Sequence, residues 1–112
     1  MSESRDPSHH AALTRGRVVA SATKQAARHE CAVAACLGEL DGSGGPLPAL
    51  VTMTRRRAIR HLDRATGLTR TAMRLNPDPV AAAFIAARLE SQERLALRVQ
   101  RVLSMVVAAA AA

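Results

Sequence analysis

A chain of 112 residues carrying a net charge of +7 is the size of one domain. Its apolar fraction is 48%, yet 24 residues are alanine and Phe84 is the only aromatic. That composition excludes an aromatic-rich β-sandwich core and favours helices packed at close range.

Residues 1–6 are polar and charged and are expected to be disordered. They do not resemble a signal peptide. Asp6-Pro7 then reads as a helix start, with Asp capping and Pro at the first helical position. The first helix is expected over 7–40. Its apolar stripe is Val19, Ala22, Ala26, His29, Val33, Cys36 and Leu40, in steps of three and four. Lys24, Arg28 and Cys31 fall on the other side. Gly16 is a weak point.

The stretch from Gly38 to Pro48 holds Gly42-Ser43-Gly44-Gly45-Pro46 and reads as the linker. It lacks the Lys-Ser/Thr of a phosphate loop. A second helix is expected over 49–66, with Gly67 as its C-terminal cap and a short helical piece at 69–75. Asn76-Pro77-Asp78-Pro79 breaks the chain and repeats the Asp-Pro helix start. The last helix is expected over 79–107. Its stripe contains Phe84, Ile85, Leu89, Leu95, Ala96, Val99, Val102, Leu103 and Val106, and its polar side Glu90, Glu93, Arg94, Gln100 and Arg101. An alanine tail, 108–112, extends the helix or frays. The expected fold is all-α: an elongated antiparallel helical bundle of two long helices with a shorter helical segment between them.

Charge is concentrated in the middle. Seven arginines lie between Arg55 and Arg74 against one acid, Asp63, so this window holds +6 of the net +7. A GC-rich genome would raise Arg and Ala together, but it would not cluster the arginines. At 100° per residue, Arg56, Arg57, Arg60 and Arg64 fall within about a 100° arc. Val51, Ala58, Ile59, Leu62 and Ala65 fall opposite. Arginines at this spacing repel one another by a few tenths of a kcal/mol per pair, roughly, which points to a partner. Arg55 and Arg88 lie within apolar arcs. Arg55 is expected to leave the core at the helix end, and Arg88 to find a salt bridge between helices or subunits.

The stretch Ala58-Ile59-Arg60-His61-Leu62-Asp63-Arg64-Ala65-Thr66-Gly67-Leu68-Thr69-Arg70-Thr71-Ala72-Met73-Arg74-Leu75 resembles the helix-turn-helix of bacterial DNA-binding regulators. The resemblance covers eighteen residues. It implies Gly67-Leu68 as the turn, Leu62 and Met73 as buried positions, and Thr69, Arg70, Thr71 and Arg74 facing the groove. It departs at Asp63, where the family usually has a small residue. Pro77 and Pro79 also cut the second helix short. A helix, a capping turn and a short helix at a bundle corner is the commoner form of such a stretch.

Other chemistry is sparse. His9 and His10 sit near the terminus. His29 and Cys36 share a face but do not make a four-ligand zinc site, so His29 reads as a core histidine. Cys31 and Cys36 are about 140° apart and are expected to be free thiols, Cys31 on the surface. Glu90 and Glu93 form a solvated face rather than an acid/base pair. No cofactor is expected.

The expectation is therefore a non-enzymatic basic protein that binds nucleic acid through the phosphate backbone, by Arg56, Arg57, Arg60, Arg64, Arg70 and Arg74. Without aromatics to stack on, base reading should be slight. The alternative is a structural or adaptor subunit of a larger assembly, cellular or viral, in which an acidic protein surface takes the arginines. Homo-oligomerisation is compatible with either. The longest apolar run is too short for a membrane span of about 20 residues. A soluble protein in the cytoplasm, nucleoid or nucleus, or inside a virion, is expected.

Overall fold

The computed structural model describes residues 7–41, 48–76 and 78–111. They form three helices: α1 (Pro7–Asp41), α2 (Pro48–Leu75) and α3 (Pro79–Ala111). The expectations for residues 1–6, for 42–47 of the linker and for Pro77 lie outside the described residues, as do the side chains of Leu103 and Val106; the rest of the expected Gly38–Pro48 linker is helical, 38–41 ending α1 and Pro48 opening α2.

Contacts fix the topology. Ala22 of α1 packs near Ala72 of α2, His29 meets His61, and Glu39 reaches Arg57, so α1 and α2 run antiparallel. Ile85 joins the Ala72 end of α2 and Val99 joins the Ala58 end, so α3 runs antiparallel to α2 and parallel to α1. The bundle is long and thin, 74 × 21 × 16 Å, with a radius of gyration of 18.8 Å. A compact chain of this length would have about 13 Å.

The turn into α3 follows from its residues. Asp78 Oδ1 accepts the Val80 N–H at 3.0 Å, an N-cap bond directly ahead of Pro79. Asn76 Nδ2 donates to the Asp78 carbonyl at 2.6 Å and tightens the corner.

The core lies in two clusters. Val33, Cys36, Leu37, Ala58 and Val99 form one; Ala22, Ala72 and Ile85 form the other. Between them lies a polar layer shared by all three helices. Gln92 Nε2 donates to Glu30 Oε2 at 2.7 Å and to Thr69 Oγ1 at 2.8 Å, and Thr69 donates to the Ala65 carbonyl at 2.9 Å. Arg88 closes the layer, 3.5 Å from Glu30 and 3.2 Å from the Thr23 carbonyl. This is the interhelical salt bridge expected of Arg88. Gln92 Nε2 is engaged on both other helices, whereas its Oε1 is buried without a partner among the described residues. Donors that are met in only one alignment oppose sliding of one helix past another.

Three expectations are corrected. Gly67 does not cap a helix: α2 is continuous from Pro48 to Leu75, and neither the turn nor the helix-turn-helix forms. The buried stripe Thr54, Ala58, Ala65, Thr69, Ala72 explains why, because its near-3.5-residue spacing crosses Gly67 unbroken. The stretch is one seam against α1. Thr69, which the helix-turn-helix resemblance placed at a DNA groove, is only 1% exposed. Ile59 and Phe84, expected in the core, are exposed at 40% and 74%; Ala58 and Ile85 take the inward positions beside them.

Gly67 is exposed, and a Cβ built on it meets no atom within 4 Å. Gly67→Ala should therefore raise stability by about 0.5–1 kcal/mol, since helix-interior glycine costs that much relative to alanine. A thermal melt should rise by about 2–4 °C. A fall would contradict the continuous helix, because a capping glycine would be strained by the substitution.

Candidate nucleic-acid interface

Continuity of α2 changes the arginine geometry. On one unbroken helix, Arg56, Arg60, Arg64, Arg70 and Arg74 fall within about a 120° arc opposite the buried stripe. The stripe is about 27 Å long at 1.5 Å per residue. A break at Gly67 would have sent Arg70 and Arg74 elsewhere. All seven arginines of the window are exposed. Arg55 is exposed, but the helix end does not leave the core as expected: Thr54, 5% exposed, keeps it there and takes the inward position.

Arg57 differs from the others. Its Nη2 lies 3.1 Å from Glu39 Oε2 of α1, with both side chains about half exposed. Such a surface pair adds little stability, but it holds Arg57 at the edge of the face. Among the described residues, Arg56, Arg60, Arg64, Arg70 and Arg74 form no salt bridge. Arg74 donates to Thr71 Oγ1 at 3.3 Å, and Thr71 in turn donates to the Gly67 carbonyl at 3.0 Å. Glu90 and Glu93 are on α3 and do not ion-pair with this face.

Behind the arginines, His61 of α2 meets His29 of α1, Nδ1 to Nδ1 at 2.8 Å with ring centroids 5.1 Å apart. One ring must donate and the other accept, so the pair holds together only while one Nδ1 is unprotonated. Burial, His29, and then Arg64, Arg60 and Arg57 all push the His61 pKa below its ordinary 6.5. A folded pKa below the unfolded value means that the unfolded chain binds more protons. Stability should hold above pH 6.5 and fall as pH drops from there through the depressed value. Urea midpoints at pH 7.5 and pH 5 measure this, and His61→Asn should shrink the difference. Sequence spacing placed His29 in the core but gave no sign of His61 as its partner.

Cys36 is buried, and burial pushes its thiol pKa up, with Arg57 opposing and Glu39 adding. It is an inert packing residue. Cys31 is an exposed free thiol. Among the described residues, no three of His, Cys, Asp and Glu converge to hold a metal ion. No helix among them is long and apolar enough to cross a membrane.

Comparison with known proteins adds no relative: no protein-family model, curated protein or solved structure matches this chain.

Proposed function

We propose that this protein binds nucleic acid through its phosphate backbone, without catalysis, using the outward face of α2. One observation carries the reading: Arg56, Arg60, Arg64, Arg70 and Arg74 are collinear on one helix, exposed, and unpaired among the described residues. Arg57 sits at the margin and exchanges Glu39 for phosphate.

Along about 27 Å of duplex axis each strand carries roughly eight phosphates, about one per 3.4 Å of rise, and those turned toward the stripe are its contacts. Five guanidiniums can each find one, and each prefers the planar recognition that phosphate offers. No aromatic lies on this face; Phe84 is on α3. The arginines hold a polyanion without stacking on its bases, so duplexes of different sequence should bind alike.

Fluorescence anisotropy of labelled duplex DNA and duplex RNA, titrated at rising salt, tests the reading. Tight binding at low salt, indifferent to sequence and lost steeply with salt, is expected. Absence of binding at 50 mM salt overturns it.

The alternative, an adaptor subunit of a larger assembly, is favoured by a separate observation: Leu13, Val80 and Phe84 are at least half exposed. These residues are not on the arginine face, so the two readings use different surfaces.

A further inference from the structure

The side of the bundle away from the arginines is open. α1 packs closely on α2, whereas α3 is set further from α1. Between α1 and α3 lies a groove with a cavity of about 410 Å³, lined by Glu30, Cys31 and Ala34 of α1 and by Gln92, Leu95 and Arg98 of α3. Gln92 and Glu30 form its floor. Behind them is the core side of α2, which Gln92 touches at Thr69.

Helical spacing extends both walls beyond the cavity. On α1, Ala27, Ala20, Gly16 and Leu13 continue the face of Cys31 and Ala34. On α3, Phe84 and Val80 continue the face of Ser91 and Leu95. From Gly16 to Ala34 on α1, and from Val80 to Arg98 on α3, the trough runs about 27 Å, the length of a helix of roughly 18 residues. One wall is made of small side chains, which let a helix backbone approach closely. The other carries the only aromatic of the chain, 74% exposed. A groove of that length between two helices is where a further helix packs in a four-helix bundle.

The rims say what the fourth member carries. Arg94 and Arg98 line the α3 side. On α1, Lys24 and Arg17 precede Cys31 by seven and fourteen residues and so stand on its side of the helix. All four are exposed, and none forms a salt bridge among the described residues. Glu30, the acid in the groove, is already engaged by Arg88 and Gln92. A second copy of this chain, net +7, would bring cations to cations.

We infer that the α1–α3 groove docks an amphipathic helix of another protein, with small aliphatic residues on its buried face and carboxylates along both edges. Arg94, Arg98, Lys24 and Arg17 select it by charge, and Phe84 covers one end of its apolar face. The inference does not depend on nucleic-acid binding by α2.

Two labelled 20-residue helical peptides test it. Both carry the same Ala/Leu seam; one has glutamate on its flanks and the other lysine. Anisotropy with the full chain should show the glutamate peptide binding at least tenfold more tightly. Arg94→Glu with Arg98→Glu should reverse that preference, and Phe84→Ala should weaken the glutamate peptide by about tenfold. Because α2 could attract any acidic peptide, the variant with glutamine at positions 56, 60, 64, 70 and 74 is measured alongside and should retain binding. A fluorophore on Cys31, in the groove wall, should respond when the glutamate peptide binds. Several results would overturn the inference: no glutamate-peptide binding at 100 µM peptide (roughly −5.5 kcal/mol at the limit), equal binding of both peptides, or loss of binding in the α2 variant. A stable dimer whose formation excludes the peptide would give the groove to a second copy and overturn it as well.

Discussion

Replacing Arg56, Arg60, Arg64, Arg70 and Arg74 together with glutamine should reduce duplex-DNA affinity at 50 mM salt by at least about 100-fold and nearly flatten its salt dependence. The logarithmic slope for five neutralised phosphates is about −4.5, so the unmodified protein should lose about 500-fold between 50 and 200 mM salt. The variant should keep a slope of about −1, contributed by Arg57 and scattered cations. Folding should not suffer. The five side chains are exposed, and Arg56–Arg60, Arg60–Arg64 and Arg70–Arg74 are like-charge pairs at i, i+4, each destabilising by a few tenths of a kcal/mol, roughly. Glutamine is also a good helix former. A melting temperature equal to or above that of the parent, with binding lost, separates an interface from a structural network. A variant that binds as the parent does would remove α2 as the interface. Single substitutions would discriminate less well, because four arginines would remain.

The helical class, the two long helices flanking a shorter middle segment and the Asp78-Pro79 start were legible because periodicity and capping are local. The α1 stripe was legible for the same reason, and His29 is half-buried where its spacing placed it. What was not legible was decided between helices. Gly67 has the chemistry of a cap, but the seam against α1 carries α2 through it. Phe84 has the chemistry of a core residue, but the inward position goes to its neighbour Ile85. The polar layer was missed because Thr69 and Gln92 look like surface residues; only the register of three helices makes one the partner of the other. The arginine face gained from the same effect. Sequence reading put four arginines on an arc and left Arg70 and Arg74 on a separate short helix, whereas the unbroken helix joins them into one stripe.

Leu37→Ala should cost about 3–4 kcal/mol in urea unfolding, a large part of the roughly 5–15 kcal/mol expected for a domain of this kind. Leu37 is 3% exposed and packs with Val33, Cys36, Ala58 and Val99 at one end of the bundle. Truncation costs range over about 2–5 kcal/mol according to how far the surroundings collapse into the space. Collapse should be limited here. Ala26, Ala65 and Ala72 are fully buried, so the helix axes already approach as closely as alanine allows. The neighbours of Leu37 are themselves small, and no aromatic ring is on hand to swing into the gap. The opposite substitution tests the same close packing. Ala65→Leu adds three heavy atoms at a site with no exposed surface and directly beside the polar layer, where the Ala65 carbonyl accepts from Thr69. It should cost at least about 1–3 kcal/mol. An unchanged m-value would show that the folded state, and not the compactness of the unfolded one, was altered. A loss below about 1 kcal/mol for both substitutions would mean that α1, α2 and α3 do not meet at these residues. In that case the alignment that makes five arginines collinear would lose its support, because the same seam that buries Ala65 turns Arg56, Arg60, Arg64, Arg70 and Arg74 outward.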